Sequence, residues 1–169
     1  MKNNLLFILV ASLSICFSSC SKSNDKPGSY VKAKINGNWV TFNNALSDLG
    51  ADLSDPSKID LTISANNEAQ TEIFDFTIQS DNQIPTGTYA SDDPQFYLDM
   101  GYMKNINNSP TDYGIYTVAN RPESKFVITI TSITDKEIKG TFTGNYLSDF
   151  ITEEVQEVTE GEFSAPRVR

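Results

Sequence analysis

Hydrophobic and polar residues alternate with a period of two along most of the chain, which is the period of a β-strand. The alternation is clearest in residues 30–42, 59–65, 73–79 and 126–143. One face of each such strand is apolar and the other is polar, as in an antiparallel sheet with one face in the core and one in water. Residues 147–153 are the only stretch in which the pattern favours a short helix, of at most two turns.

Turn signals separate these alternating segments. Asn36-Gly37 tolerates positive φ at both central positions and predicts a type I′ hairpin turn. Polar residues 66–69 and the pair Asp135-Lys136 predict two further turns, and Glu160-Gly161 predicts a last one between strands at 155–159 and 162–168. The chain therefore reads as a series of short antiparallel strands.

About nine or ten strands with turns between them predict an all-β fold, namely an antiparallel β-sandwich. A closed or partly open antiparallel β-barrel is the alternative. Gly140 and Gly144 lie within one predicted strand, where glycine marks a bulge, a bend or a close approach of another backbone. No linker, repeat or composition shift divides residues 29–169, which predicts a single domain.

The first 20 residues have the organisation of a signal peptide. Lys2 supplies the basic start, residues 5–17 are mostly apolar, and small residues precede Cys20. A membrane-spanning helix needs about 20 apolar residues, so this run is too short to be an uncleaved anchor. We expect a signal peptide at 1–19, then Cys20 and a polar tether through residue 28.

Phe17-Ser18-Ser19-Cys20 resembles the lipobox of bacterial lipoproteins, with Phe17 in place of the usual aliphatic residue. The resemblance implies cleavage after Ser19 and a diacylglycerol, with palmitate-type acyl chains, on the sulfur of Cys20. The membrane is then a partner through this lipid, and the location is the outer membrane, on its periplasmic or its external side. An ordinary secretory signal with an incidental cysteine is the alternative.

Cleavage changes the composition of the mature chain. Cys16 leaves with the signal peptide and Cys20 is consumed by lipid, so no free thiol remains and disulfides are excluded. Removing residues 1–19 removes one lysine, so 12 basic and 22 acidic residues leave a net charge of −10. Such a surface repels nucleic acid, which is excluded as a partner.

Several short motifs together resemble one family. These are Ala33-Lys34-Ile35-Asn36-Gly37 with Trp39, Pro85-Thr86-Gly87-Thr88-Tyr89, Ile138-Lys139-Gly140-Thr141-Phe142 and Glu160-Gly161-Glu162-Phe163. Their order is similar to that in small Bacteroidetes lipoproteins of unknown function. The resemblance implies a single all-β domain behind a lipid anchor, and it brings no catalytic or binding residues.

The absence of histidine removes the most common catalytic and metal-binding machinery, including Ser-His-Asp triads and His-based zinc sites. The mature chain also lacks a thiol, and no glycine-rich phosphate loop occurs. We therefore expect no enzyme. A carboxylate-based hydrolase is the remaining catalytic alternative, and it needs two acids held about 5–10 Å apart. The acids available in sequence clusters are Asp92, Asp93, Glu153, Glu154, Glu157, Glu160 and Glu162.

Two further groups of residues are candidates for binding. Asp48, Asp52 and Asp55 lie in one predicted loop with glycine and proline nearby, and such loops supply the oxygen ligands of calcium. The alternative for these three is that they are ordinary turn acids. Tyr97, Tyr113 and Tyr116 lie in or beside predicted strands, where exposed rings stack against sugars or proteins, although aromatic residues also favour strands for packing alone. Trp39 is predicted to pack as a structural plug.

Three functions are consistent with these observations. The first is a non-catalytic binding or accessory module presented at the outer membrane to a glycan or an envelope protein. The second is a purely structural envelope protein, and the third is a carboxylate-based polysaccharide hydrolase. The lack of catalytic groups favours the first, although fold class alone does not establish a function.

Overall fold

The structure is a computed structural model, and it describes residues 28–106, 114–118, 125–144, 146–149 and 154–169. These residues form twelve strands and no helix. The strands are β1 Tyr30–Ile35, β2 Asn38–Phe42, β3 Asn44–Ala51, β4 Ile59–Asn66, β5 Ile73–Ser80, β6 Gly87–Ala90, β7 Tyr97–Lys104, β8 Gly114–Val118, β9 Val127–Ile133, β10 Glu137–Thr143, β11 Tyr146–Asp149 and β12 Val155–Pro166.

The strands form one continuous sheet in which every pairing between named strands is antiparallel. Its order is β3-β4-β5-β7-β8-β11-β12-β10-β9-β6, and the β1-β2 hairpin joins it through β12. The sheet is not closed into a barrel. The predicted all-β antiparallel fold is confirmed, and an open sheet folded over one core is compatible with the sandwich rather than with the closed-barrel alternative.

Strand β12 connects the two halves of the sheet. Its first residues pair with β11, its last residues pair with β10, and its other edge pairs with β1. The predicted turn at Glu160-Gly161 is therefore wrong, because both residues lie inside one twelve-residue strand. Gly161 is required there because the Phe142 ring lies against its backbone, and not because the chain turns.

The core contains two reciprocal pairs of phenylalanine and glycine across β10 and β12. Phe142 lies opposite Gly161, and Phe163 lies opposite Gly140. A Cβ atom on Gly161 would lie 2.0 Å from the Phe142 ring, and one on Gly140 would lie 2.6 Å from the Phe163 ring. Each ring therefore covers the glycine of the neighbouring strand, an arrangement that only a missing side chain permits.

The same two rings connect this part of the sheet to β5. Phe142 lies with its ring centroid 5.4 Å from that of Phe74 and 5.8 Å from that of Phe76, and Phe163 lies 5.0 Å from Phe76. All four rings are at most 2% exposed. The ladder between β9 and β10 also shifts register between Lys139 and Gly140, so the bulge or close approach predicted at Gly140 is confirmed.

The first hairpin has the predicted turn. Asn36 and Gly37 have φ values of 49° and 78°, as a type I′ turn requires. The side chain of Asn36 also joins the turn to β12, since its amide donates to Gln156 Oε1 at 2.6 Å and its oxygen accepts from the Glu157 backbone N–H at 2.9 Å. The turn residue thus fixes the hairpin against the central strand.

Two other local predictions are wrong. Residues 147–149, predicted as the start of a helix, belong to β11, while residues 150–153 lie outside the described part. Leu147 is fully buried between partners on both sides, β8 and β12, and this pairing overrides the weak local helix signal. Residues 44–51 form β3, where the sequence predicted a loop around Asp48.

Residues 1–27, which include Cys20 and the signal peptide predicted at 1–19, lie outside the described part, so their role stays a prediction. Across the described ranges, the structure has no helix of the length and apolarity that crossing a membrane requires. The strands that are described share one hydrophobic core cluster.

We expect Gly161→Ala to lower the free energy of unfolding by about 1–3 kcal/mol, because the new methyl group overlaps the Phe142 ring. Urea denaturation measures the loss. Phe142→Leu in the Gly161→Ala background should recover part of it, so that the double variant is more stable than the sum of the single losses predicts. Strictly additive losses would contradict the proposed contact.

Candidate functional site

A short segment at one end of the sandwich separates two depressions. Residues 83–86, which we call the 83–86 segment, precede β6 and contribute to the lining of both. The hydroxyl of buried Tyr89 donates a hydrogen bond to the Pro85 carbonyl, and the Tyr89 ring meets the Phe96 ring edge-on at 4.9 Å. Tyr89 therefore anchors the segment from within the core.

The first depression is a polar groove with a volume of about 470 Å³. Amide, hydroxyl and carboxylate side chains make up most of its lining, together with two aromatic rings. The lining residues are Ser80, Asp81, Asn82, Gln83, Pro85, Thr86, Gly87, Thr88, Tyr89, Gln95 and Phe96.

Three side-chain amides in the polar groove have no hydrogen-bond partner in the part of the chain that the structure describes. Asn82, Gln83 and Gln95 are exposed, and within the described residues none of their side-chain amides takes part in a hydrogen bond. Each amide offers two donors and one acceptor oxygen. Phe96 is half-buried beside them, so the groove combines hydrogen-bonding groups with an apolar ring.

The second depression is an apolar pocket with a volume of about 490 Å³. Its walls are mostly aliphatic, and its charged lining residue is Arg167. The lining residues are Leu49, Gly50, Ile59, Gln83, Ile84, Pro85, Thr86, Ile133 and Arg167.

Two of the three aspartates predicted to bind calcium meet in a third, smaller cleft of about 280 Å³. Asp48 and Asp52 line it together with Asp60 and Arg169, whereas Asp55 does not. Asp48 lies on β3 and not in a loop, and it forms an ion pair of 2.8 Å with Arg169. The guanidinium thus already lies against one of the proposed ligands.

The carboxylate of Asp52 organises the loop between β3 and β4. Its Oδ1 accepts hydrogen bonds from the backbone and the hydroxyl of Ser54 and from the backbone of Asp55. These bonds, led by the one from the Ser54 hydroxyl, hold the pKa of Asp52 well below its ordinary value. Asp55 accepts bonds from Ser57 in the same way. Both acids therefore act as turn acids.

Asp60 lies beside Asp52, and Gln79 bridges them. The Gln79 amide donates to Asp52 Oδ2 at 3.1 Å and to Asp60 Oδ1 at 2.9 Å. Burial, together with the contact with Asp52, raises the pKa of Asp60, while the bond from Gln79 opposes the rise. The two carboxyl groups therefore differ in acidity, and Asp52 is the stronger acid.

Among the residues that the structure describes, no group of three or more Asp, Glu, His or Cys side chains is placed to hold a metal ion. Calcium at Asp48, Asp52 and Asp55 stays a prediction, with Arg169 as a competitor for Asp48.

The tyrosines predicted to bind a ligand are not brought together. Tyr97 is 61% exposed on the outer face of the sheet, whereas Tyr116 is 1% exposed and stacks on Tyr102 with 5.9 Å between ring centroids. Tyr113 lies outside the described residues. A ring as buried as that of Tyr116 has no face on which a ligand can stack, so Tyr97 is the candidate that remains accessible.

Trp39 is 49% exposed, so its prediction as a structural plug is wrong. The Lys32 ammonium lies 4.5 Å from its ring centroid, within the range of a cation–π contact. Hairpin β1-β2 has β2 at its outer edge, paired with β1, which explains why this large ring is not covered.

Sequence reasoning missed the residues around the two depressions. Pro85-Thr86-Gly87-Thr88-Tyr89 was recognisable as a motif, but a motif of turn and strand residues does not reveal that Tyr89 anchors Pro85. The adjacent amides Asn82 and Gln83 were visible in the sequence, but only the fold places Gln95 beside them in the polar groove.

Comparison with protein-family models, with curated proteins and with solved structures finds no match to this chain. The resemblance to small Bacteroidetes lipoproteins therefore stays a prediction that depends on the quoted motifs alone.

Asp75 is a half-buried acid on the same outer face as Tyr97. It lies across from Gly101 on β7, so closely that a Cβ on this glycine would be 2.5 Å from its Oδ1. Burial and then the charge of Asp99 raise the pKa of Asp75 to about 6, and a hydrogen bond from the Gly101 backbone opposes the rise.

Ionisation of Asp75 should destabilise the fold. An unfolded aspartate has a pKa of about 3.9, so between that pH and about 6 the folded state binds more protons and the free energy of unfolding falls as pH rises. We expect Asp75→Asn to be more stable than the natural chain at pH 7.5 by about 1–3 kcal/mol, and equally stable below pH 4. Urea denaturation at both values measures this difference. A constant difference across the pH range would contradict it, and Asp99→Asn, at an exposed position, should have a smaller effect.

Proposed function

We propose that this protein is a lipid-anchored cell-envelope protein, held in the outer membrane by acyl chains on Cys20, on the periplasmic or the external side. The support is the pattern of residues 1–20, a basic start, a short apolar run and small residues before the cysteine. After removal of residues 1–19, a net charge of −10 gives no attraction to anionic lipid headgroups. Membrane attachment therefore depends on the acyl chains, and multiple chains bind far more firmly than one.

The β domain is a non-catalytic binding or accessory module in this proposal, and the polar groove beside the 83–86 segment is its ligand site. The observation that carries the proposal is the set of three amides, Asn82, Gln83 and Gln95, that lack protein partners among the described residues. Ligand sites combine a few such convergent polar groups with aromatic surface in a volume of about 300–1,000 Å³, and the polar groove fits this description at about 470 Å³.

A glycan is the ligand that this chemistry favours. Sugar hydroxyl groups both donate and accept hydrogen bonds, as side-chain amides do. The less polar face of a sugar ring packs on an aromatic ring, a role open to Phe96. The acid in the groove, Asp81, forms an ion pair with Lys58. Its charge is therefore balanced within the protein, which suits an uncharged ligand such as a glycan.

The hydrolase alternative gains little support from the acids. The amide of Gln79 lies between Asp52 and Asp60 and donates to both, so these two carboxyl groups do not face each other across the space for a sugar that glycoside hydrolysis needs. The sequence-clustered acids Glu154, Glu160 and Asp92 form ion pairs with lysines at 2.6–3.1 Å. A purely structural envelope protein remains the other alternative, and it predicts no ligand for the groove.

We expect Cys20→Ser to abolish lipidation, because the thioether requires the sulfur of this residue. In a bacterial host that processes lipoproteins, labelled palmitate should enter the natural chain, which should fractionate with membranes. Cys20→Ser should be unlabelled and released, while Cys16→Ser, the matched control, should behave like the natural chain. Labelling of Cys20→Ser would refute the proposed anchor.

We expect the purified protein to retain glycans on an array, and Gln95→Ala and Phe96→Ala to weaken that binding about tenfold through lost hydrogen bonds and ring contact. Tyr97→Ala is the matched control, since its ring neighbours Phe96 in sequence but lies on the outer face of the sheet.

Two results would count against the glycan site. Equal loss of binding in Tyr97→Ala and Phe96→Ala would move the site to the outer face. A blank array, together with a pull-down from intact cells that enriches no envelope protein, would favour the purely structural alternative.

A further inference from the structure

The apolar pocket on the other side of the 83–86 segment is a second site with different chemistry. Its walls come from the ends of three strands and from the segment itself, through Leu49, Ile59, Ile133 and Ile84. Protein interiors leave few voids larger than a water molecule, whereas this pocket has a volume of about 490 Å³ and opens at the end of the sandwich. Its size and lining are those of a site for a small apolar molecule.

Arg167 gives this apolar pocket a positive charge. The residue is half-buried, and its guanidinium donates from Nε to the backbone oxygen of Arg169 and from Nη2 to the Leu49 carbonyl at a long 3.4 Å. A guanidinium has five N–H donors, so most of its capacity is not used by these bonds. It forms no ion pair with an Asp or Glu side chain in the described ranges.

Arg169, two residues later, has different partners from Arg167. Arg169 is exposed and forms an ion pair with Asp48 at 2.8 Å, and it also donates to the Ala51 carbonyl at 3.2 Å. Both arginines hold the C-terminal residues against β3, but only Arg169 has a carboxylate side chain as partner. Among the described residues, the half-buried guanidinium of Arg167 is bonded only to main-chain oxygens, those of Arg169 and Leu49.

We propose that the apolar pocket binds an apolar monocarboxylate of the fatty-acid class, with its hydrocarbon chain against the aliphatic walls and its carboxylate on the guanidinium of Arg167. The geometry of guanidinium and carboxylate allows two parallel hydrogen bonds. The low polarity of the surrounding walls strengthens such a pair relative to one in water. This site is separate from the polar groove and does not depend on the glycan proposal.

Isothermal titration of the full chain with decanoate, below its micelle concentration, tests the proposal. We expect saturable binding of one decanoate, and a loss of at least about tenfold in affinity in Arg167→Gln, since a charge-assisted pair is removed. Arg169→Gln, the matched control, should bind within about twofold of the natural chain. Decanol, which has the same chain without the charge, should bind more weakly and be insensitive to Arg167→Gln.

A second variant keeps the test decisive if Arg167→Gln does not fold, which urea denaturation reveals. Ile133→Phe places a ring in the pocket and should abolish binding of decanoate and decanol alike. Equal affinity of Arg167→Gln and the natural chain, no decanoate binding at all, or binding that survives Ile133→Phe would each overturn the proposal. Loss of binding only in Arg169→Gln would assign the carboxylate to the smaller cleft that Arg169 lines with Asp48 and Asp52, and would also overturn the proposal.

The glycan variants separate the two proposals. Phe96→Ala and Gln95→Ala lie in the polar groove and should leave decanoate affinity within about twofold of the natural value. A blank glycan array with normal decanoate binding would remove the glycan proposal alone, and the reverse result would remove only the monocarboxylate site.

Discussion

The fold depends on the packing of two phenylalanine rings over two glycines in neighbouring strands. Phe142 of β10 covers Gly161 of β12, and Phe163 of β12 covers Gly140 of β10. Each strand thus packs one ring against the glycine of the other strand. The same rings reach Phe74 and Phe76 on β5. One reciprocal contact therefore fixes the register of two strands and holds the two layers of the sandwich together.

The central position of β12 follows from this contact. A strand that pairs with β1, β10 and β11 must pass from one half of the sheet to the other. Gly161, within this strand, lets the Phe142 ring approach the β12 backbone. The chain beyond it runs along the edge of β3, where the Val168 backbone donates to the Ser47 carbonyl at 2.8 Å. This last contact brings Arg167 and Arg169 to the end of the sandwich at which the depressions lie.

The 83–86 segment gives that end its two kinds of surface. On one side are amides, hydroxyl groups and the Phe96 ring, and on the other are aliphatic side chains with one arginine. Tyr89 holds the segment between them by donating a hydrogen bond to the Pro85 carbonyl from a buried ring. Among the described residues that line them, neither depression contains a pair of acids facing each other.

The sequence by itself determined the all-β class, most of the strands and the first hairpin turn, because a period of two and an Asn-Gly pair are local signals. The sequence also excludes histidine-based catalysis and histidine-ligated metal sites, because the chain contains no histidine. Tertiary structure decided the rest. Whether Gly161 turns the chain or lies under a ring, whether Tyr116 is buried, and which aspartates meet Arg169 all depend on residues distant in sequence. Strand pairing between distant segments brings these residues together, and a local sequence pattern contains no information about such pairing.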